Sequence, residues 1–312
     1  MTYPELCGLF PPGEEAPDLD WDTAPAPRLT ARSENDYRRL KFSLAGVTMK
    51  FSMVATGERL TLPAYGEGGD WIVKLPDSEF PHVPHNEYAM MTLAAACGVE
   101  VPDVRLVHRE QIDGLPDRLW PNGESWAYAV RRFDRDENRR LVHIEDLAQV
   151  RNFYPPAKYQ GNFETVAALI YRRHDLAALQ EFARRLAFNI LISNGDAHLK
   201  NWSLIYRDPR VPTLAPAYDL VSTAPYMERE DLGLKFGGSR RFERASLGTF
   251  KLLEHRIGVS GADLVEHAAE TTDLVRTRWP ELADTLMPDP KLRAAITNSI
   301  DQRLRTLLVS SD

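Results

Sequence analysis

The stretch "LISNGDAHLKNWSL", residues 191–204, decides how the chain reads. An apolar run closes on small residues around Asp196; His198, Lys200 and Asn201 follow, and a second apolar run starts at Trp202. Asp196 and Asn201 have the D-x-x-x-x-N spacing in which a carboxylate orients an attacking hydroxyl and a carboxamide reaches a metal during phosphoryl transfer. The HRD letters are missing, and the spacing also suits an Asx-rich turn whose side chains bond their own backbone. A buried helix expected before the motif and a strand after it favour the catalytic reading. His198 and Lys200 are candidates to touch phosphate, although a loop histidine serves equally well as a structural hydrogen-bonder.

Working outward, Asp175 can cap a helix on which Leu179, Phe182, Leu186 and Ile190 recur at three- and four-residue spacing, running into the motif. Beyond it come a short strand, "WSLIY", and the loop "LAPAYDLVST" with Asp219. Mg²⁺ prefers carboxylate, phosphate and water oxygens, so Asn201 and Asp219 from neighbouring loops form a plausible protein share of its shell. A turn or helix cap is the other reading of Asp219. Lys74 alternates on a predicted strand, "WIVKLP" (71–76), and a lysine at a buried strand position needs an anionic partner. Glu87, early in the next helix, can supply it. The alternatives are a strand-edge lysine and a glutamate that favours the helix dipole. "SLAGVTMKFSM" (43–53) is the candidate phosphate cradle, with only Gly46 permitting close backbone approach; it matches neither GxGxxG nor Walker A.

From about 40 to 130 the text is strand-like, with "WAYAV" (126–130) a buried strand and His85–Gly98 a helix. In that helix Tyr88, Met91 and Ala95 share a face, the Met pair reads as core, and Gly98 is the expected cap. After 140 the pattern turns helical, as in "GTFKLLEHRIG" and "PKLRAAITNSIDQRLRTLLVS". The expected class is α+β, with two lobes and a cleft between them. The expected divisions are an arm (1–36), a β-rich lobe (37–132) and a helical lobe (133–312).

The 312 residues, 43% hydrophobic and 27% charged, suffice for a sizeable core, and a net charge of -7 argues against generic affinity for nucleic acid or anionic membrane. Residues 1–36 carry eight acidic and two basic side chains among several prolines, which suits solvated chain or a partner-binding arm anchored by Tyr3, Leu6, Leu9, Phe10 and Trp21. Cys7 and Cys97 are isolated, so neither a disulfide framework nor a zinc knuckle is indicated. No apolar run approaches the roughly 18 to 20 residues that span a bilayer, and the start lacks the features of a signal peptide. The expected location is the cytoplasm. Arginine pairs at 131/132, 172/173, 184/185 and 240/241 could hold nucleic acid, or be solvated faces.

Taken in order, Ser43 onward, "WIVKLP", "NEYAMMTLAAACGVEVPDVRL", "AVRRFDR", "ISNGDAHLKNWSL" and "APAYDLVSTAP" resemble the HipA-like serine/threonine protein kinases, toxins of bacterial toxin-antitoxin systems. The resemblance implies a bilobal protein-kinase-like fold using ATP and Mg²⁺. It implies a flexible phosphate loop of Ser43, Leu44, Ala45, Gly46 and Val47 running to Lys50, with Lys74 on the ATP phosphates. Phe133 and the backbone near Arg131 would meet adenine, with His198 and Lys200 near the phosphates. Asp196 would be the catalytic carboxylate, Asn201 and Asp219 metal ligands, and Glu87 the partner of Lys74. Ser43 matches the family's inactivating autophosphorylation site, where a phosphate dianion would compete for the ATP cradle.

The family's known substrates are aminoacyl-tRNA synthetases. Longer members carry an extra N-terminal subdomain too large for the first forty residues here. The resemblance therefore points to short HipT-like toxins, with a small HipS-like antitoxin and a HipB-like helix-turn-helix antitoxin that would supply any DNA contact. Lys41 and Phe42 precede Ser43, so the two-serine pattern of those relatives is not matched; Thr48 and Ser52 are other candidate sites. Alternatives to a protein kinase are a small-molecule phosphotransferase and a nucleotide-binding pseudokinase scaffold.

Overall fold

The computed structural model describes residues 50–63, 69–227, 231–259 and 261–308. Its N-terminal part is a five-stranded antiparallel sheet of β1 (Lys50–Thr56), β2 (Arg59–Thr61), β3 (Trp71–Lys74), β4 (Val104–His108) and β5 (Trp126–Arg131), ordered β2-β1-β3-β5-β4. Thr56 pairs with Arg59, leaving a two-residue loop whose first residue, Gly57, takes φ 59°, as tight hairpins require. Alternation along β5 sends Ala127 and Ala129 to a small core with Met53, Val73 and Trp120. Tyr128 and Val130 face the main core.

Helix α1 (Val83–Ala96) has Pro84 in its first turn and ends before Gly98, which adopts φ 77°. Met90 and Met91 are fully buried, as expected of core residues. The expected Tyr88–Met91–Ala95 face is corrected: Ala95 is exposed, while Glu87, Asn86 and Ala94 are buried. The helix is enclosed on most sides, so one-sided periodicity is a poor guide to its orientation.

The second part holds a three-stranded antiparallel sheet, β6 (His143–Asp146), β7 (Ser203–Asp208) and β8 (Val211–Leu214). With it are α2 (Leu147–Val150), α3 (Phe163–Tyr171), α4 (Leu176–Leu191), α5 (Leu247–Ile257), α6 (Leu264–Leu286) and α7 (Pro290–Leu307). Helix α4 is central: Leu179, Phe182, Leu186 and Ile190 are all buried, and the Asp175 carboxylate accepts the Ala178 N–H at 3.0 Å. The motif at 192–202 therefore joins a buried helix to a sheet strand, a rigid mount for functional side chains. Among the described residues no helix is long and apolar enough to cross a membrane.

Candidate active site

Lys74 is the junction between the two parts of the molecule. Its ammonium donates to Glu87 Oε1 at 2.6 Å and also to Asp219 Oδ1. Two carboxylates share one lysine, and they resolve the sharing in opposite directions. Burial pushes the Glu87 carboxyl up to about 7, with the charge of Asp219 adding to the rise against the pull of Lys74. Burial also favours the neutral form of Asp219, but Lys74, Lys50 and His198 outweigh it and hold that carboxyl at about 2. Lys74 itself is destabilised by burial and then raised above its ordinary value by Asp219 and Glu87. Asp219 lies deep in the cleft yet keeps 42% of its side chain exposed toward it.

Asn201 reaches the same carboxylate, its Nδ2 donating to Asp219 Oδ2 at 3.3 Å. Asp219 has φ 54°, a left-handed geometry that Asp tolerates better than most residues. Asn194 ties the two loops together: its Nδ2 donates to Asn189 Oδ1 at 2.7 Å and to the Asp219 carbonyl at 3.3 Å. Thr223 donates its hydroxyl to the Ser193 carbonyl at 2.9 Å and accepts the Gly195 N–H at 2.9 Å. From α7, the Arg303 guanidinium donates to Ser193 Oγ at 2.9 Å. A Cβ on Gly233 would stand 2.2 Å from the Ala197 carbonyl, so only glycine fits against this loop.

Asp196 projects from the loop with one carboxylate oxygen, Oδ1, accepting the Tyr159 hydroxyl. His198 is buried with Nε2 4.0 Å from the same oxygen, and its Nδ1 has no hydrogen-bond partner among the described residues. Burial lowers its pKa to about 4, against the pull of Asp196. An imidazole kept neutral in the fold but protonated in the unfolded chain contributes stability that is complete above about pH 6.5 and is lost as pH falls toward 4. That difference is worth about 3 kcal/mol at full extent. Glu87 works in the opposite sense, its contribution being complete below 4.5 and lost as pH rises through about 7. Urea unfolding of wild type and His198→Gln at pH 7.5 and pH 5 isolates the histidine: the variant should lose less stability on acidification. Equal losses would show that His198 titrates normally.

A cleft of about 290 Å³ opens beside these groups, with Ile72, Val130, Phe133 and Ile144 on its apolar side and Lys50, Lys74, Lys200 and Asp219 on its polar side. An apolar wall thus faces a cationic end, a lining that suits an anionic ligand with an apolar part. Phe133 lies 5.6 Å from Tyr218, centroid to centroid. The Arg131 N–H is taken by the Asp103 carbonyl and the Arg132 N–H by that of Asp70, both at 2.8 Å. The Phe133 N–H has no partner among the described residues, so the backbone donor at this bend is one position beyond the arginines. Arg131 lines the cleft, with its guanidinium 3.2 Å from Asp103. Asp134 fixes the bend by accepting from both Arg132 and Arg135.

Lys74, Glu87, Asn201 and Asp219 thus meet directly, with Asp196 and His198 beside them and Arg131, Phe133 and Lys200 on the cleft. Ser43, Leu44, Ala45, Gly46 and Val47 lie outside the described residues, as does Thr48; Ser52 accepts from Arg132 at 3.1 Å. No cluster of three or more His, Cys, Asp or Glu suited to a metal occurs among the described residues. Asn201 and Asp219 offer only a partial, oxygen-based share, which fits a Mg²⁺ ion completed by phosphates and water.

The family profile of the HipA-like C-terminal domain matches residues 42–279, about three quarters of the chain. The chain belongs to that family. Among curated relatives of this HipA-like protein, "Putative kinase Y4dM" of Sinorhizobium fredii is 41% identical over 293 residues, covering 92% of this chain and 70% of the relative. The serine/threonine-protein kinase toxin HipA of Shewanella oneidensis is 31% identical over 214 residues, covering 61% of this chain and 45% of that protein. The HipA-like chain thus spans less than half of that toxin's length. In structure it superposes on the Shewanella oneidensis HipA solved with HipB and operator DNA, with a TM-score of 0.67 at 22% identity over 82% of this chain and 62% of the other. The fold is the bilobal α+β kinase fold of HipA.

Sequence reasoning missed several residues of this HipA-like site. Lys50, expected as the end of a flexible phosphate loop, instead opens β1, pairs in register with Lys74 of β3 and lines the cleft, a role that was not assigned to it. Lys158 and Tyr159 come from a Pro-rich turn with no spacing that marks them. Asn86 Nδ2 donates to the Ser222 carbonyl at 2.8 Å, and its Oδ1 accepts the Ser222 N–H at 3.0 Å, stapling α1 to the segment after Asp219. All four arginine pairs spend a member internally: Arg132 on Asp134, Arg172 on the Ile170 and Pro212 carbonyls, Arg185 on Glu181 and the Ala215 carbonyl, and Arg240 on the Tyr159 carbonyl.

Proposed function

We propose that this chain is an ATP- and Mg²⁺-dependent serine/threonine protein kinase, the toxin of a toxin-antitoxin system of the HipT kind. The observation that carries the reading is Lys74 bound at once to Glu87 and Asp219, with Asn201 on the far oxygen of Asp219 and Asp196 on the neighbouring loop. A buried lysine and four such groups from three separate elements have no need to converge for stability alone. ATP supplies the phosphoryl group and Mg²⁺ neutralises charge on its oxygens, with Asn201 and Asp219 as the protein ligands. Lys74, Lys50 and Lys200 balance the remaining phosphate charge. Asp196 accepts the proton of the substrate hydroxyl as its oxygen bonds to the γ-phosphorus and the bond to the bridging oxygen breaks, releasing ADP.

In this reading the β-rich lobe ends at Arg132 and Phe133 opens the helical lobe beside adenine; the expected arm at 1–36 lies outside the described residues. Ser43 is the autophosphorylation site in the phosphate loop. The protein target is an aminoacyl-tRNA synthetase in the cytoplasm, and the partners are a small HipS-like antitoxin and a HipB-like helix-turn-helix protein. The resemblance in ordered motifs supports these assignments, and the HipA–HipB–DNA complex of the Shewanella relative supports the last. The test is intact-mass spectrometry of dephosphorylated wild type and Asp196→Asn after incubation with Mg-ATP. A mass gain of phosphate mapping to Ser43 in wild type alone is the expected result. No gain in wild type, and no transfer to a panel of tRNA synthetases, would overturn the proposal.

A further inference from the structure

The Asp196 carboxylate has two oxygens with different surroundings. Oδ1 accepts the Tyr159 hydroxyl, whereas Oδ2 makes no hydrogen bond among the described residues. Tyr159 is itself held from several sides. The Leu199 N–H donates to the Lys158 carbonyl at 3.1 Å, and the Arg240 guanidinium donates to the Tyr159 carbonyl at 2.5 Å. The ring meets the buried His198 edge-on, centroids 5.2 Å apart, and the Lys158 ammonium lies 5.2 Å from its centroid. The residue thus leans on the catalytic loop through its backbone, its ring and its hydroxyl.

We propose that Tyr159 is the positioning residue of Asp196, its hydroxyl occupying Oδ1 so that Oδ2 alone is presented to the substrate hydroxyl. The inference rests on the kinase reading and adds a role to a residue that the catalytic motif does not include. An unrestrained carboxylate turns about its Cβ–Cγ bond, and a base that must meet a hydroxyl in line with a phosphoryl group loses rate with every unproductive orientation. A neutral phenol suits the task. It donates without adding charge where transfer needs cations for the phosphates, and its proton stays on oxygen throughout, while the proton that moves is the substrate's. A structural phenol has no reason to be aimed at the catalytic carboxylate, since the Tyr159 backbone is already anchored by Arg240 and the neighbouring Lys158 carbonyl by Leu199.

A second arrangement with the same geometry is that the Tyr159 hydroxyl stands in the acceptor's place and competes with it. The two differ in sign, because removing a competitor speeds transfer and removing an orienter slows it.

The experiment compares wild type, Tyr159→Phe, Asp196→Asn and the double variant by single-turnover phosphate transfer from Mg-ATP to the chain itself, with Mg-ADP affinity and thermal unfolding measured in parallel. Tyr159→Phe keeps the ring against His198. It should lower the transfer rate about 10- to 100-fold, the loss expected for one hydrogen bond to a charged group. Mg-ADP affinity and the unfolding temperature should not change. In the Asp196→Asn background the same substitution should cost nothing further, because both act through one carboxylate. An unimpaired or faster Tyr159→Phe, phosphate found on Tyr159, or full additivity in the double variant would overturn the inference and leave the kinase reading standing. Absence of transfer in wild type, both to the chain itself and to the panel of tRNA synthetases, would overturn both.

Discussion

Lys74→Met should lower phosphoryl transfer by about 10²- to 10³-fold, the loss typical of removing one preorganised electrostatic group. It should also destabilise the protein in a pH-dependent way. With Lys74 gone, Glu87, only 4% exposed, is left facing Asp219 without its cation. Breaking a buried pair by removing one partner costs about 3–5 kcal/mol when the remaining charge persists. Glu87 can escape that cost by taking a proton, and its carboxyl already sits at about 7 with the lysine present. The variant should therefore be near wild-type stability at pH 5 and lose stability as pH rises through neutrality. This is the sign for a carboxyl whose folded pKa is raised.

The double variant Lys74→Met/Glu87→Gln separates the two roles of the lysine. Removing the buried charge along with its partner should restore much of the stability at pH 8, because neutral replacement of a buried pair is close to thermoneutral. Transfer should stay as low as in the single variant, since nothing replaces the ammonium on the phosphates. Urea unfolding across pH and transfer from Mg-ATP are the two measurements. Recovery of activity along with stability would mean that Lys74 serves only to hold α1 in place. The Asn86–Ser222 staple makes that outcome unexpected: it already fixes the same turn of α1 to the segment after Asp219 by two hydrogen bonds.

The parts of the molecule that could be read from sequence are those where local pattern and tertiary role coincide. Helix α4 carries its own cap in Asp175 and its own core stripe, and it forms where expected. Strands β3 and β5 are short apolar runs between breakers. Lys74, Glu87, Asn201 and Asp219 could be picked out because each is a costly residue type at a position that the pattern made buried or tightly turned. Strands β2, β4 and β6 were not singled out: "RLT", "VRLVH" and "HIED" acquire strand geometry from pairing with β1, β5 and β7 rather than from composition. Helix α6 holds Pro280 in its interior, which reads as a break in one dimension. Within the site, Tyr159 is 37 residues from the Asp196 that it touches and Asn86 is 136 from Ser222, distances over which no motif operates.

Asp219→Asn should lower Mg²⁺-dependent transfer by about 10³-fold, several kilocalories of metal stabilisation, while leaving the fold intact. The backbone there is left-handed at φ 54°, and Asn is among the few residues that accept such a φ, so the loop keeps its shape. Electrostatics then change in a direction opposite to that of Lys74→Met. Glu87 loses the negative neighbour that helps raise it, Lys74 is left to Glu87 alone, and the pair tightens. The variant should be at least as stable as wild type at neutral pH. The nucleotide separates charge from metal. Metal-free ATP should bind the variant as well as or better than wild type, because one carboxylate fewer faces the phosphates. The gain in affinity that Mg²⁺ brings to wild type should be missing, since Asn201 alone is a weak share of an octahedral shell. ATP titrations with and without Mg²⁺ measure both quantities. A variant that kept its Mg²⁺-dependent gain would show that Asp219 is there to restrain Lys74, and the metal would have to be held by other oxygens of the cleft.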